Sequence, residues 1–417
     1  MKYEEYKDSG IEWIGEMPSH WRVMPIKRTG SFENGLTYSP TDICDENGVL
    51  VLRSSNIQND KLSFEDNIYV AKCPLSLMVK SGDIIICSRN GSASLVGKCA
   101  MVEGNINATY GAFMMRYRPI CKSNKVFSYY LLQIALKCYK GLYSTTTINQ
   151  LTKGVIGQIY VSYPPFHEQQ AIATYLDEKC GEINRAIDVQ KKKIDLLNEL
   201  KQTIITDAVT KGLDPNATMK DSGVEWIGEI PEHWEVMKLK YSFKNLDYMR
   251  EPISAEKRER INPIYDYYGA SGVIDKIDNY NVDDTVLLIG EDGANLVMRN
   301  LPLIYKATGK FWVNNHAHIL KPQKGNSYDY MAYLLEMVDY TTSITGSAQP
   351  KLSQENLGYI LLCVPPFSEQ KAIASYLDEE CAKIDSQISR ANRHIELLEE
   401  LKQSIITEAV TGKIKVC

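Results

Sequence analysis

Two stretches of the sequence read Tyr163-Pro164-Pro165-Phe166 and Val364-Pro365-Pro366-Phe367. A Pro-Pro-aromatic loop can hold an exocyclic amine for methyl transfer when Asn or Asp precedes it, because that polar side chain accepts the amine protons. Tyr163 and Val364 stand in that place. The acceptor is missing, and the prolines read as punctuation at a helix start, where an absent N–H costs nothing. Ser88 to Lys98 has glycines and a lysine in rough phosphate-loop order. However, five residues separate Gly91 from Gly97, and Cys99 follows where Ser or Thr would hold magnesium. His316-Ala317-His318 would set two imidazoles on one face of a strand, with no third ligand at metal spacing. Lys191-Lys192-Lys193 reads as a solvated helix stretch. No nuclease or Ser/His/Asp grouping emerges from spacing. These motifs predict a protein that is not an enzyme and carries no cofactor or metal.

The composition sets the class. Of 417 residues, 24% are charged and 44% hydrophobic, ordinary values for a globular chain long enough for two domains. A net charge of −5 argues against non-specific coating of nucleic acid, while leaving room for a local basic surface. No apolar run approaches the roughly 20 residues of a membrane span, and no signal pattern opens the chain. The ten cysteines form no Cys-x-x-Cys pair, as expected of reduced thiols in the cytoplasm.

The elements that position everything else are written twice. Lys7–Lys27 and Lys220–Lys240 are identical at 15 of 21 positions, including Asp-Ser-Gly-x-Glu-Trp-Ile-Gly-Glu-x-Pro-x-His-Trp. Pro164–Glu178 returns at Pro365–Glu379 and opens a long amphipathic helix in each copy. The order is signature, variable region, long helix, twice over. Boundaries follow at 1–163, 164–219, 220–363 and 364–417. Both variable regions read as mixed α/β. Strands are predicted at Gly82–Cys87, Ala112–Tyr117, Thr285–Ile289 and Phe311–Leu320. Asn90-Gly91 reads as a tight turn, and helices are expected at Tyr129–Tyr139 and Tyr328–Val338.

Apolar steps of three and four give each long helix a heptad seam. It runs through Leu176, Ile183, Ile187, Ile194, Leu197 and Ile204 in the first helix. In the second it runs through Leu377, Ile384, Ile388, Ile395, Leu398 and Ile405. A helix of about 45 residues extends roughly 67 Å and needs a partner. The short linker Lys211–Asn216 sends the second copy back, so the helices should pair antiparallel. The expected fold is two α/β (α+β) globular domains separated by a pair of long antiparallel coiled-coil helices, with an internal pseudo-two-fold repeat.

Recognition is the reading that remains. Residues 28–163 carry 14 Lys/Arg against 9 Asp/Glu, and residues 241–364 carry 12 against 15. Charge alone therefore marks only the first region as basic. Polar loops are the better signal, because their donors and acceptors can reach base edges. The candidates are Arg53, Ser54, Asn56, Gln58, Ser88, Arg89, Asn90 and Ser92 in the first region. Tyr268, Ser271, Asn314, Asn315 and His316 are their counterparts in the second.

The doubled signature and the doubled Pro-Pro-Phe-x-Glu-Gln, in this order, resemble the specificity (S) subunit of type I restriction–modification enzymes over essentially the whole length. The resemblance implies two target recognition domains, each reading half of a split double-stranded DNA sequence, with the helix pair setting the spacer. It also implies two modification (M) methyltransferase subunits and restriction (R) translocase/endonuclease subunits as partners. AdoMet and ATP would sit on those partners, and no membrane is involved. The alternatives are a coiled-coil scaffold that binds proteins only, and a self-sufficient DNA methyltransferase or nuclease.

Overall fold

A computed structural model describes residues 2–139, 150–258, 263–346 and 350–416. The chain forms two compact units, Met1–Gln190 with Arg393–Cys417, and Lys191–Asn392. These units cut across the four segments expected from the repeats, because each takes in the beginning of one long helix and the end of the other.

Each unit contains one signature, which opens as a short hairpin: Tyr6–Asp8 with Glu16–Pro18, and Met219–Asp221 with Glu229–Pro231. A third strand pairs antiparallel with the strand that leads into the long helix. Arg22–Pro25 lies against Tyr160–Tyr163, and Glu235–Lys238 against Leu361–Val364. The two ends of each variable region are thereby tied together.

A hydrogen-bonded latch explains why the two repeated motifs occur together. In the first unit Glu168, almost fully buried, accepts from Trp21 Nε1 at 2.9 Å, Tyr3 Oη at 2.8 Å and His20 Nε2 at 2.6 Å. In the second, Glu369 accepts from Trp234 Nε1 at 3.0 Å and His233 Nε2 at 2.8 Å. Burial pushes the Glu168 carboxyl up, but hydrogen bonds from Trp21, His20 and Tyr3 outweigh it and hold the group below its usual range. The next residue braces the head. Gln169 donates to the Pro164 carbonyl and accepts from the Asn124 backbone N–H, and Gln370 does the same with Pro365 and Ser327. Asn124 and Ser327 are the N-caps of the helices Lys125–Cys138 and Tyr328–Met337. The prolines are thus the start of a helix whose first turn locks both signature and head.

The long helices span Phe166–Lys211 and Phe367–Thr411. Within the first unit Ile172, Leu176 and Cys180 share a core with Ile406, Ala409 and Val410. Within the second, Ile373, Leu377 and Cys381 share one with Ile205, Ala208 and Val209. The start of one helix lies by the end of the other in both units, so the pairing is antiparallel. Of the seam residues, Leu176, Ile183, Ile187, Leu197, Leu377 and Ile384 are buried. Ile194, Ile388, Ile395 and Leu398 are half-buried, as are Ile204 and Ile405, whose neighbours Ile205 and Ile406 take the buried place.

The heads differ in detail. The first has two four-stranded sheets, ordered Cys99–Met101, Ile84–Cys87, Met114–Pro119, Gly30–Asn34 and Ala108–Tyr110, Val49–Leu52, Tyr69–Val70, Ile43–Cys44. The second has one six-stranded sheet, ordered Phe243–Asn245, Ala317–Pro322, Val282–Gly290, Ile304–Val313, Tyr265–Gly269, Gly272–Ile277. Two local expectations fail. Phe311–Leu320 is two strands, Ile304–Val313 and Ala317–Pro322, because Asn314 closes a turn with its side chain accepting from His316 N at 2.8 Å. Asn90-Gly91 lies in the long connection from Ile84–Cys87 to Cys99–Met101. The two-residue hairpin turn is Asn59-Asp60, both left-handed at φ 49° and 62°, between Ile57–Gln58 and Lys61–Leu62.

Candidate nucleic-acid interface

The polar loops converge on one corner of each head, and both corners are built alike. In the first unit, the Ser88 and Arg89 backbone N–H groups donate to the Phe113 carbonyl at 3.0 and 3.1 Å. Leu151 N donates to the Ser88 carbonyl at 2.7 Å, and Arg89 forms an antiparallel bridge with Gln150. In the second unit, Glu291 N donates to the His316 carbonyl at 2.9 Å, Leu352 N donates to the Glu291 carbonyl at 3.0 Å, and Asp292 bridges Lys351. The bonding pattern therefore matches Ser88 with Glu291, Arg89 with Asp292, Phe113 with His316, and Leu151 with Leu352.

The first corner is cationic and aromatic. Arg89 is exposed and its guanidinium stands 5.3 Å from the centroid of the Phe113 ring, itself 59% exposed. Asn90 donates to Ser54 Oγ at 3.3 Å, joining this corner to the loop after Val49–Leu52. Ser92 is exposed and shares a hydrogen bond with Ser94. Ser88 is buried, its hydroxyl bonded to the Phe113 carbonyl. Asn56 is fully buried: it accepts from Arg53 N and donates to the carbonyls of Ser63 and Asp66. Its amide shapes the loop and has no group left for a base. Arg53 is paired with Asp66 at 2.8 Å, while Gln58 is exposed. Lys98, the lysine of the phosphate-loop look-alike, is bonded to the Ile57 carbonyl at 2.8 Å.

The second corner is anionic at its tip. Asp292 and His316 are exposed, with His316 Nδ1 3.9 Å from Asp292 Oδ1. Asn315 and Ser271 are exposed, Asn314 is buried in the turn, and Tyr268 packs edge-on against Phe311 at 5.4 Å. Beneath lies a charged network. Glu291 accepts from Arg250 at 3.0 Å and from Lys351 at 3.1 Å. The buried ring of His318 faces Asp247 Oδ2 at 2.6 Å and the Leu352 carbonyl at 2.8 Å. The ring thus bridges a carboxylate and a main-chain carbonyl. Burial pushes the Asp247 carboxyl up, but His318, the Ile319 N–H and Arg250 hold it below its usual range. His316 and His318 thus do different work, one at the surface and one in the core. Among the described residues no group of three or more His, Cys, Asp or Glu could hold a metal ion.

A basic and aromatic patch sits further along the second unit. Lys238 and Lys240 each place an ammonium 4.6 Å from the Tyr359 ring centroid, and Lys240 also lies 5.3 Å from Tyr241. Tyr359 is 50% and Tyr241 62% exposed, and neither lysine has an ion pair among the described residues. Tyr359 ends the helix Gln354–Tyr359, which leaves the corner directly after Leu352. Six residues rise about 9 Å, so corner and patch are near neighbours.

Phe113, Gln150, Asp292, Lys351 and the Lys238–Tyr359 patch were not among the sequence candidates. A signal existed: Ile84–Cys87 and Leu287–Gly290 align at a constant offset of 203, which carries Arg89 onto Asp292 and Phe113 onto His316.

A family model described as the type I restriction modification DNA specificity domain matches residues 18–199 and 231–396. The chain is 23% identical over 443 residues to the EcoKI specificity subunit of Escherichia coli K12, covering 96% of this chain and 90% of that relative. It is 27% identical over 331 residues, 70% of each chain, to the MjaVIII specificity subunit of Methanocaldococcus jannaschii. A chain solved in work on assembly and conformational transition of the type I R-M system aligns with TM-score 0.69 and 14% identity. That alignment covers 95% of this chain and 99% of the other, a likeness of fold.

Proposed function

Because the chain belongs to the type I restriction–modification DNA specificity family, we propose that its two units each read one half of a bipartite, asymmetric DNA target. The observation that carries this reading is a single frame holding two different corners. The Glu–Trp–His latch, the signature–strand pairing and the helix start recur in both units, whereas Arg89 with Phe113 becomes Asp292 with His316. A recognition protein that used one surface twice would read a palindrome; two different surfaces read different half-sites. Base-edge contacts come from the corners, and Lys238 and Lys240 take phosphates, which fix register without carrying sequence.

The chain acts within an assembly with two modification subunits and with restriction subunits, which supply AdoMet, ATP and the chemistry. It works in the cytoplasm, and no described helix is long and apolar enough to cross a membrane. The Pro-Pro loops support a non-catalytic role, because Pro164 and Pro365 present their carbonyls to Gln169 and Gln370.

Sequencing the methylome of cells that carry the chain with its modification subunit should show one bipartite motif. Replacing residues 28–163 with the corresponding region of a relative should change one half of that motif only. A change in both halves, or in neither, would refute the modular reading. The purified chain alone should neither bind AdoMet nor cut DNA.

A further inference from the structure

The two corners place one exposed side chain at the same backbone position with opposite charge. We infer that this position reads a base in each unit: Arg89 selects a guanine in one half-site, and Asp292 selects a cytosine in the other. The inference rests on the DNA-recognition reading above and names the residues and bases through which it works.

The position is held as a reading position must be. The Arg89 N–H donates to the Phe113 carbonyl, in the second unit the preceding residue Glu291 donates to the His316 carbonyl, and each position is bridged on its other side to Gln150 or Lys351. The preceding residue points inward and acts as buttress: Ser88 is bonded to the Phe113 carbonyl, and Glu291 is held by Arg250 and Lys351. The residue itself points outward. Arg89 has no ion pair among the described residues, and stacking on Phe113 steadies the guanidinium plane while its N–H edge stays open. That planar fork matches the O6 and N7 acceptors of guanine in the major groove. Asp292 precedes the helix Gly293–Met298 without a side-chain capping bond, and the imidazole of His316 lies beyond hydrogen-bond reach at 3.9 Å. An acceptor-only carboxylate suits the N4 amino donor of cytosine and repels the acceptor-rich edge of guanine.

The test uses the chain with its modification subunit and reads the methylated motif of the wild type and three variants. Arg89→Ala should relax one G·C pair in one half, cutting discrimination there by roughly ten- to hundredfold. Asp292→Ala should relax one C·G pair in the other half by a similar factor. Asp292→Asn should move that position toward adenine, which Asn recognises through N6 and N7. The untouched half of the motif reports that each variant has folded and assembled. An unchanged motif in all three variants overturns the inference and leaves the bipartite reading intact. A wild type with no bipartite motif overturns that reading itself. Should a variant abolish methylation, competition binding of the reconstituted complex with duplexes differing at one pair decides. Loss confined to the G·C or C·G pair supports the inference, and equal loss at every pair overturns it.

Discussion

Glu168 shows how much one carboxylate can organise. Two donors from the signature, His20 and Trp21, converge on it together with Tyr3 in a buried site. Glu168→Ala would leave the Trp21 N–H buried without a partner, a loss of about 2–4 kcal/mol for a charged acceptor with several bonds. The pH dependence follows from the depressed carboxyl. Its contribution is fully present above the ordinary carboxylate value of 4.5 and is lost as pH falls through the lower folded value. Acid titration followed by Trp fluorescence should therefore show the first unit holding until below about pH 4.5, and Glu168→Gln should flatten that limb. The same scale shows where sequence reading stops. Arg89 was legible as a polar residue in a loop with base-compatible chemistry, but Asn56, in an equally polar run, turned inward to satisfy backbone groups. Residue type cannot separate the two, because the difference is made by Ser63 and Asp66, which only the fold brings within reach.

At the scale of elements, the long helices were the most legible part, since a periodic apolar seam declares its own partner. The discrepancy lies at their ends. Ile204 and Ile405 continue the heptad, yet Ile205 and Ile406 are buried, because there the helix faces a head core as well as another helix. Ile205 joins Trp234 and Ile230; Ile406 joins Trp21 and Met17. Two lysines of the long helices are paired: Lys201 with Asp385, and Lys402 with Asp60 in the left-handed hairpin turn. Phe311–Leu320 reads as one strand because two apolar strands joined by a three-residue polar turn look continuous in composition. The short helix Gln354–Tyr359 carries a prediction of its own. Changing Lys238 and Lys240 together to Gln should weaken binding on all sequences alike. It should lower the slope of log K against log salt by about 2 and leave the motif unchanged. A changed motif would show that these lysines read bases.

The whole molecule is divided otherwise than the chain is written. Arg393–Cys417 belongs to the unit that begins at Met1, where Ile406, Ala409 and Val410 complete the core and Lys415 lies over Tyr3. Deleting residues 393–417 should therefore expose the first unit, more than two hundred residues upstream, while the second stays protected. Those three side chains alone represent several kcal/mol of apolar burial. Hydrogen exchange of the full-length and shortened chains checks this; greater loss of protection in 191–392 would contradict it.

The latch has a consequence for inheritance. Tyr3, His20, Trp21 and Glu168 all lie outside residues 28–163, so none of the four side chains of this clasp comes from the region it encloses. Mutation can rewrite that interior, or recombination replace it whole, without altering the clasp. A lineage under pressure to change the DNA it recognises can then acquire a new reading surface in one step, and the rest of the assembly need not evolve to meet it.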